Sequence, residues 1–141
     1  PSLAQLRYEF RAAQDPAVEP AAEFIARCTR WMSERLSKEG RWRCWVAEDA
    51  GQLIGTLWLQ LMEKIPNPVD EAECHGYISS VYVVPTRRGA GIGSQLVDAG
   101  LRYCEAEKLD AVILWPTEAS RRLYQRHGFA PPDDLFERRL R

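Results

Sequence analysis

Between Arg88 and Ser94 the chain reads Arg-Gly-Ala-Gly-Ile-Gly-Ser, with glycines at alternate positions behind a single arginine. Glycine permits tight and left-handed turns and removes the side chains that would hold a ligand away from the backbone. Where a helix follows such a turn, several N–H groups and the helix dipole converge on one spot and favour an anion. The flanks supply that setting. An apolar run, Tyr77 to Val84 closed by Pro85, reads as a strand, and from Ile92 to about Glu107 apolar residues recur at helical spacing. Strand, glycine turn and helix start predict a site for the diphosphate of a nucleotide-like cofactor.

Three spacings compete for this turn. A P-loop places Lys-Ser or Lys-Thr after its last glycine, and Ser94-Gln95 is not that pair. The dinucleotide fingerprint G-x-G-x-x-G nearly fits from Gly89, but Ser94 stands at its third glycine. Its ribose-binding acid should also end the next strand, whereas Asp110 begins one. The pattern [Q/R]-x-x-G-x-[G/A] is met in full by Arg88, Gly91 and Gly93. Downstream, Ala119-Ser120-Arg121-Arg122-Leu123-Tyr124-Gln125-Arg126-His127-Gly128-Phe129 follows A-x-x-L-Y-x-x-x-G-F, a short helix stopped by glycine. On these two segments, from roughly Trp42 to the C terminus, the chain resembles the GCN5-related N-acetyltransferases (GNAT), which bind acetyl-coenzyme A.

The resemblance implies an α/β (α+β) fold with a central mixed, mostly antiparallel sheet, a splayed parallel strand pair and flanking helices. Coenzyme A would enter the splay, its pantetheine arm pairing with backbone groups of Val81, Tyr82 and Val83. The diphosphate would take N–H bonds from Gly89, Ala90, Gly91, Ile92, Gly93 and Ser94, with Arg88, and Arg87 beside it, adding charge. Thr117 stands where many members carry a cofactor-touching asparagine. Tyr124 matches the tyrosine whose phenol protonates the departing thiolate, and a backbone N–H near Val81–Val83 would serve the oxyanion. The implied reaction is direct attack of a primary amine on acetyl-CoA in a ternary complex. The general base stays open among Glu63, Glu73, His75, Tyr77 and water. Asp70, Glu71 and Glu73 in the loop from Ile65 to His75 would favour a cationic acceptor if they rim its site.

The elements that must position these residues are read from periodicity. A short helical or irregular opening ends near Asp15-Pro16, and a helix from about Ala21 to Lys38 carries Phe24, Ile25, Cys28, Trp31, Met32 and Leu36 on one face, with Gly40 as its C′ stop. Trp42 to Glu48 and Gln52 to Met62 form a hairpin turning at Asp49-Ala50-Gly51. Ile65-Pro66-Asn67-Pro68 must be loop, since prolines cannot donate to a ladder. After the glycine turn come a helix with Ile92, Leu96, Ala99 and Tyr103 facing the core, a buried strand Asp110 to Trp115, a helix Ser120 to His127 and a last strand Leu135 to Leu140. The strand that usually opens a GNAT domain is not visible before the first helix, so either the chain lacks its true N terminus or the sheet edge is built differently.

The 141 residues suit one domain, 1–141, and a net charge of −1 gives no ground for nucleic-acid or anionic-membrane binding. No apolar run approaches the ~20 residues of a membrane span. Four scattered cysteines, Cys28, Cys44, Cys74 and Cys104, form no metal or disulfide pattern and suit a reducing cytoplasm. The expected partners are a small-molecule or peptide amine, with a homodimer left open and no metal. Two rival readings stand beside the transferase: a catalytically silent acyl-CoA-binding sensor or interaction module, and a dinucleotide enzyme built on the near-miss glycine pattern.

Overall fold

The computed structural model describes residues 2–16 and 19–141. Helix α1, Leu3–Ala12, is capped by Ser2, whose Oγ accepts from the Gln5 N–H at 3.1 Å. Helix α2, Ala21–Arg35, follows Pro20 and presents Ile25, Cys28, Trp31 and Met32 to the core. Strands β1, Trp42–Asp49, and β2, Gln52–Glu63, form the hairpin. Its two turn residues, Ala50 and Gly51, have φ of 49° and 78°, the double left-handed geometry that matches strand twist. Then come β3, Cys74–Val83, a 3-10 turn Pro85–Arg87, α3, Ile92–Ala106, β4, Val112–Ile113, a second 3-10 turn Glu118–Ser120, and α4, Arg121–Arg126.

The sheet order is β1-β2-β3-β4, antiparallel at the first two junctions and parallel at the last. Alternation along β2 divides the core into two layers, because successive side chains leave a strand on opposite faces. Leu57 and Leu59 pack with Ile78 against Leu96, Val97 and Cys104 of α3. Trp58 faces the other way and packs with Ala4 of α1 and Met32 of α2. Gly100 lets α3 lie close on the sheet, where an added Cβ would stand 3.2 Å from Leu57 Cδ2. One irregularity interrupts β3. Trp58 pairs with Ser80 and Leu59 with Ile78, so Ser79 is a bulge without an opposite residue.

The structure corrects several expectations. The helix predicted to Lys38 ends at Arg35 with Leu36 as its cap. Gly40 is therefore no C′ residue; a Cβ there would sit 2.6 Å from the Arg35 carbonyl oxygen, so the constraint is close approach. Of the predicted α3 face Ile92, Leu96 and Tyr103 do pack on the core, but the buried centre is Leu96, Val97, Gly100 and Cys104, and Ala99 lies beside it. The strand predicted from Asp110 to Trp115 shrinks to Val112–Ile113, and Leu135 to Leu140 forms no strand at all, with Phe136 99% exposed. Alternating apolar residues mark what a strand could bury, but a ladder also requires a neighbour with free backbone groups alongside.

Candidate active site

The shortness of β4 creates the site. Its parallel pairing with β3 consists of Gly76↔Val112 and Tyr77↔Ile113, supported by the Gly76 N–H donating to the Ala111 carbonyl at 3.0 Å. Beyond Tyr77, β3 continues to Val83 paired only with β2, with Val81 opposite Leu57, Tyr82 opposite Thr56 and Val83 opposite Gly55. At the fork the Tyr77 and Trp115 rings meet edge to face at 5.3 Å, and Trp115 is 52% exposed. The edge of β3 from Ser79 to Val83 thus faces a gap where an extended ligand can add itself as a strand would.

The glycine turn lies at the far end of that edge. Gly89 and Gly91 adopt φ of 83° and 81°, which side-chain-bearing residues avoid, and the space where their Cβ atoms would stand is open. Gly91 caps α3, whose first residue is Ile92. Among the described residues no carbonyl accepts from the N–H groups of residues 89–94; the first such bond runs from Gln95 to Gly91. These amides, with the positive end of a 15-residue helix behind them, are available to an anion. Arg88 folds back, its Nε donating to the Val83 carbonyl at 2.9 Å and its guanidinium lying 5.6 Å from the Tyr82 ring centroid. Arg87 is committed to Asp49 at 2.8 Å.

Helix α4 is fastened beside this turn. Leu123 Cδ2 lies 3.6 Å from where a Gly93 Cβ would be, and Ser94 Oγ and His127 Nε2 are 2.9 Å apart. Thr117 and Ser120 exchange a reciprocal cap at the start of the 3-10 turn that leads into α4: Thr117 Oγ1 accepts from the Ser120 N–H at 3.3 Å while Ser120 Oγ accepts from the Thr117 N–H at 2.9 Å. Gly128, at φ 87°, lets the chain turn away after α4. Tyr124 is 8% exposed, edge-on to Phe129 at 5.7 Å. Its hydroxyl has no hydrogen-bond partner among the described residues, and it is not sealed off, since the buried side-chain polar atom left without a partner is His75 Nδ1. Burial pushes the Tyr124 phenol above its ordinary pKa, so it holds its proton at neutral pH. The helix that carries Tyr124 is thus held against the start of α3, where the unclaimed amides lie, through Leu123 at Gly93 and His127 at Ser94.

The general-base candidates are spread along β2 and β3. Glu63 pairs with Arg41 at the hairpin's distal end, opposite Cys74. Glu73 precedes β3, and at ~3.3 Å per residue it stands about 20 Å along the chain from Ser79. Tyr77 is at the fork itself. The acidic rim is offset by Lys64, which pairs with Glu71 at 3.5 Å and Asp110 at 3.1 Å. Trp58, at 6% exposure, is core. Among the described residues there is no group of three metal-binding side chains, and no helix is long and apolar enough to cross a membrane.

A family model described as the acetyltransferase (GNAT) family matches residues 4–129. The chain belongs to the GNAT family. This GNAT chain is 39% identical over 90 residues to mycothiol acetyltransferase of Frankia casuarinae, a match covering 60% of the chain and 26% of that protein. The mycothiol acetyltransferase of Thermobispora bispora is likewise 39% identical over 90 residues, 60% of the chain and 28% of that protein. The match thus spans little more than a quarter of these relatives' length. Among solved structures, a GCN5-related N-acetyltransferase from Ralstonia eutropha superposes with a TM-score of 0.72 at 27% identity, covering 95% of this chain and 87% of that one. A protein from Clostridium acetobutylicum described as a predicted acetyltransferase, solved with acetyl-CoA, gives 0.71 at 21% identity over 97% and 86%. The mixed sheet with its forked parallel pair is the fold of these proteins.

Three features around the site carry no signal in the sequence. The Ser79 bulge arises from register between β2 and β3, and Arg7 meets Ser80 across 73 residues of chain. The Ser94–His127 contact was also unmarked, although both residues lie inside the two signature segments.

Proposed function

We propose that this GNAT chain is an acetyl-CoA-dependent N-acetyltransferase that acetylates a primary amine by direct attack in a ternary complex. The observation that carries the reading is the coincidence of the β3–β4 fork with unclaimed amides at residues 89–94. In this reading those amides hold the diphosphate, and Arg88 exchanges the Val83 carbonyl for a phosphate oxygen. The free edge of Val81, Tyr82 and Val83 then guides the pantetheine toward the Ser79 bulge. Thr117 contributes only what its cap leaves free. A backbone N–H beside Val81 meets the oxyanion. The amine nitrogen attacks the thioester carbonyl, a C–N bond forms, the C–S bond breaks, and the thiolate takes its proton from Tyr124. The amine's proton leaves through water, with Tyr77 the side chain placed nearest the fork.

Acetyl-CoA at a hundred times its Kd should stabilise the fold by about 2.7 kcal/mol, a clear rise in Tm, and NAD should give none. Equal stabilisation by NAD would hand the site to a dinucleotide. Stabilisation by acetyl-CoA without thiol release over a broad amine panel would leave a silent acyl-CoA sensor.

A further inference from the structure

The α1–α2 side of β3 holds a cation that the acyl-donor reading does not use. Arg7 projects from α1, and its Nη1 donates to Ser80 Oγ at 3.0 Å in a half-buried setting. Among the described residues no carboxylate forms an ion pair with it, whereas Arg11, one turn on, pairs with Asp15 at 3.5 Å. The guanidinium carbon lies 5.7 Å from the Phe10 ring centroid, and Phe10 stacks on Tyr82 at 4.9 Å. Burial, with Arg11 nearby acting in the same direction, draws the Arg7 pKa below its ordinary value. A guanidinium has five donors, and withdrawing it from water with a single neutral partner is unfavourable unless an anion completes the set.

Its location gives that imbalance a use. Ser80 follows the Ser79 bulge and directly precedes Val81, just past the point where β3 and β4 part. Val81 and Val83 face the α3 layer, while Ser80 is paired with Trp58, which faces α1 and α2. A donor entering from the glycine turn at the Val83 end and an acceptor entering under α1 would therefore meet near Ser79–Val81 from opposite faces. On the acceptor's side Arg7 is the cation in direct contact with β3, through Ser80, while Glu9 of α1 acts on Tyr82 further along the strand. In the acidic loop Glu71 is bound to Lys64, which also holds Asp110.

We propose that Arg7, backed by Ser80, binds a carboxylate of the acceptor, so that the preferred substrates are amino acids or similar small aminocarboxylates. The proposal rests on the acetyl-transfer reading above and names its acceptor class. A planar guanidinium suits a carboxylate through two parallel N–H bonds, and the fixed spacing between carboxylate and amine would aim the nitrogen at the thioester.

The test compares acetyl transfer to free amino acids and to their α-amides, with rates corrected for the fraction of neutral amine. The acids should exceed their amides in kcat/KM by about 10- to 100-fold, the worth of a charged hydrogen-bonded pair. Arg7→Gln should abolish that preference through KM for the acid, leaving KM for acetyl-CoA and for the amides unchanged. Arg7→Lys should keep part of it. Should Arg7→Gln fold poorly, Ser80→Ala should weaken the preference in the same direction. Amides accepted as well as acids, or both classes lost equally in Arg7→Gln, overturn the proposal. So does a wild-type protein stabilised by acetyl-CoA that acetylates no carboxylate-bearing amine. If acetyl-CoA itself fails to stabilise the fold, the acetyl-transfer reading falls first and takes this one with it.

Discussion

In the proposed reaction Tyr124 is the acid, and its surroundings hold its proton in place until a thiolate takes it. Its ring is packed against Phe129 inside the core cluster of α3 and β2, which raises the phenol's pKa, yet its hydroxyl is left without a protein partner. A phenol packed by its ring, with a reachable hydroxyl that no protein group engages, is free to donate to a bound group. Tyr124→Phe should lower turnover by about 10- to 10³-fold, the usual span for an acid–base group, while the acetyl-CoA thermal shift persists. The wild-type enzyme's kcat should not fall on the alkaline side until pH exceeds about 10, the unperturbed phenol value. Undiminished turnover in the phenylalanine variant would remove Tyr124 from the chemistry. Arg7 is the opposite case at the same scale: nothing in its sequence neighbourhood distinguishes it from Arg11, and only the Ser80 contact across the fold does.

At the scale of elements, two glycines that look alike in sequence have different duties. Gly40 is held by crowding, its missing Cβ position 2.6 Å from the Arg35 carbonyl, whereas Gly91 is held by φ of 81° with open space around it. Gly40→Ala should therefore cost about 1–3 kcal/mol in urea denaturation through overpacking, with acetyl-CoA affinity intact. Gly91→Ala should cost only about 1–2 kcal/mol for the left-handed backbone but weaken acetyl-CoA binding, since its methyl group enters the open space of the turn. Affinity unchanged in Gly91→Ala would move the diphosphate elsewhere. The hairpin, the two signature segments and the amphipathic helices were legible because each is a local pattern of turn residues or period. The length of β4 and the fate of Leu135 to Leu140 were not, because strand pairing depends on which backbone edges lie alongside. Here the fork that denies β4 its ladder is the same feature that opens the site.

Across the whole molecule, the thiols and phenols shifted by burial all move upward. The Cys104 thiol, between α3 and the sheet, is pushed from 9.0 to about 11, and Cys44 on β1 from 9.0 to about 12, each chiefly by desolvation. Tyr82 and Tyr124 are raised for the same reason. A group whose folded pKa lies above its unfolded one contributes its stability in full below the unfolded value and loses it as pH climbs toward the folded one. The two layers should therefore be held with nearly constant strength from neutral pH to about 9, and the loss should begin with the thiols and continue with the phenols. Urea midpoints measured from pH 7 to pH 11 should stay level and then decline above 9. Cys104→Ala should start lower because of its cavity, and its decline should be shallower. An alkaline limb of the same slope in that variant would shift the cause to the surface ion pairs, such as those of Lys64, whose charge is lost only as pH passes its own raised pKa.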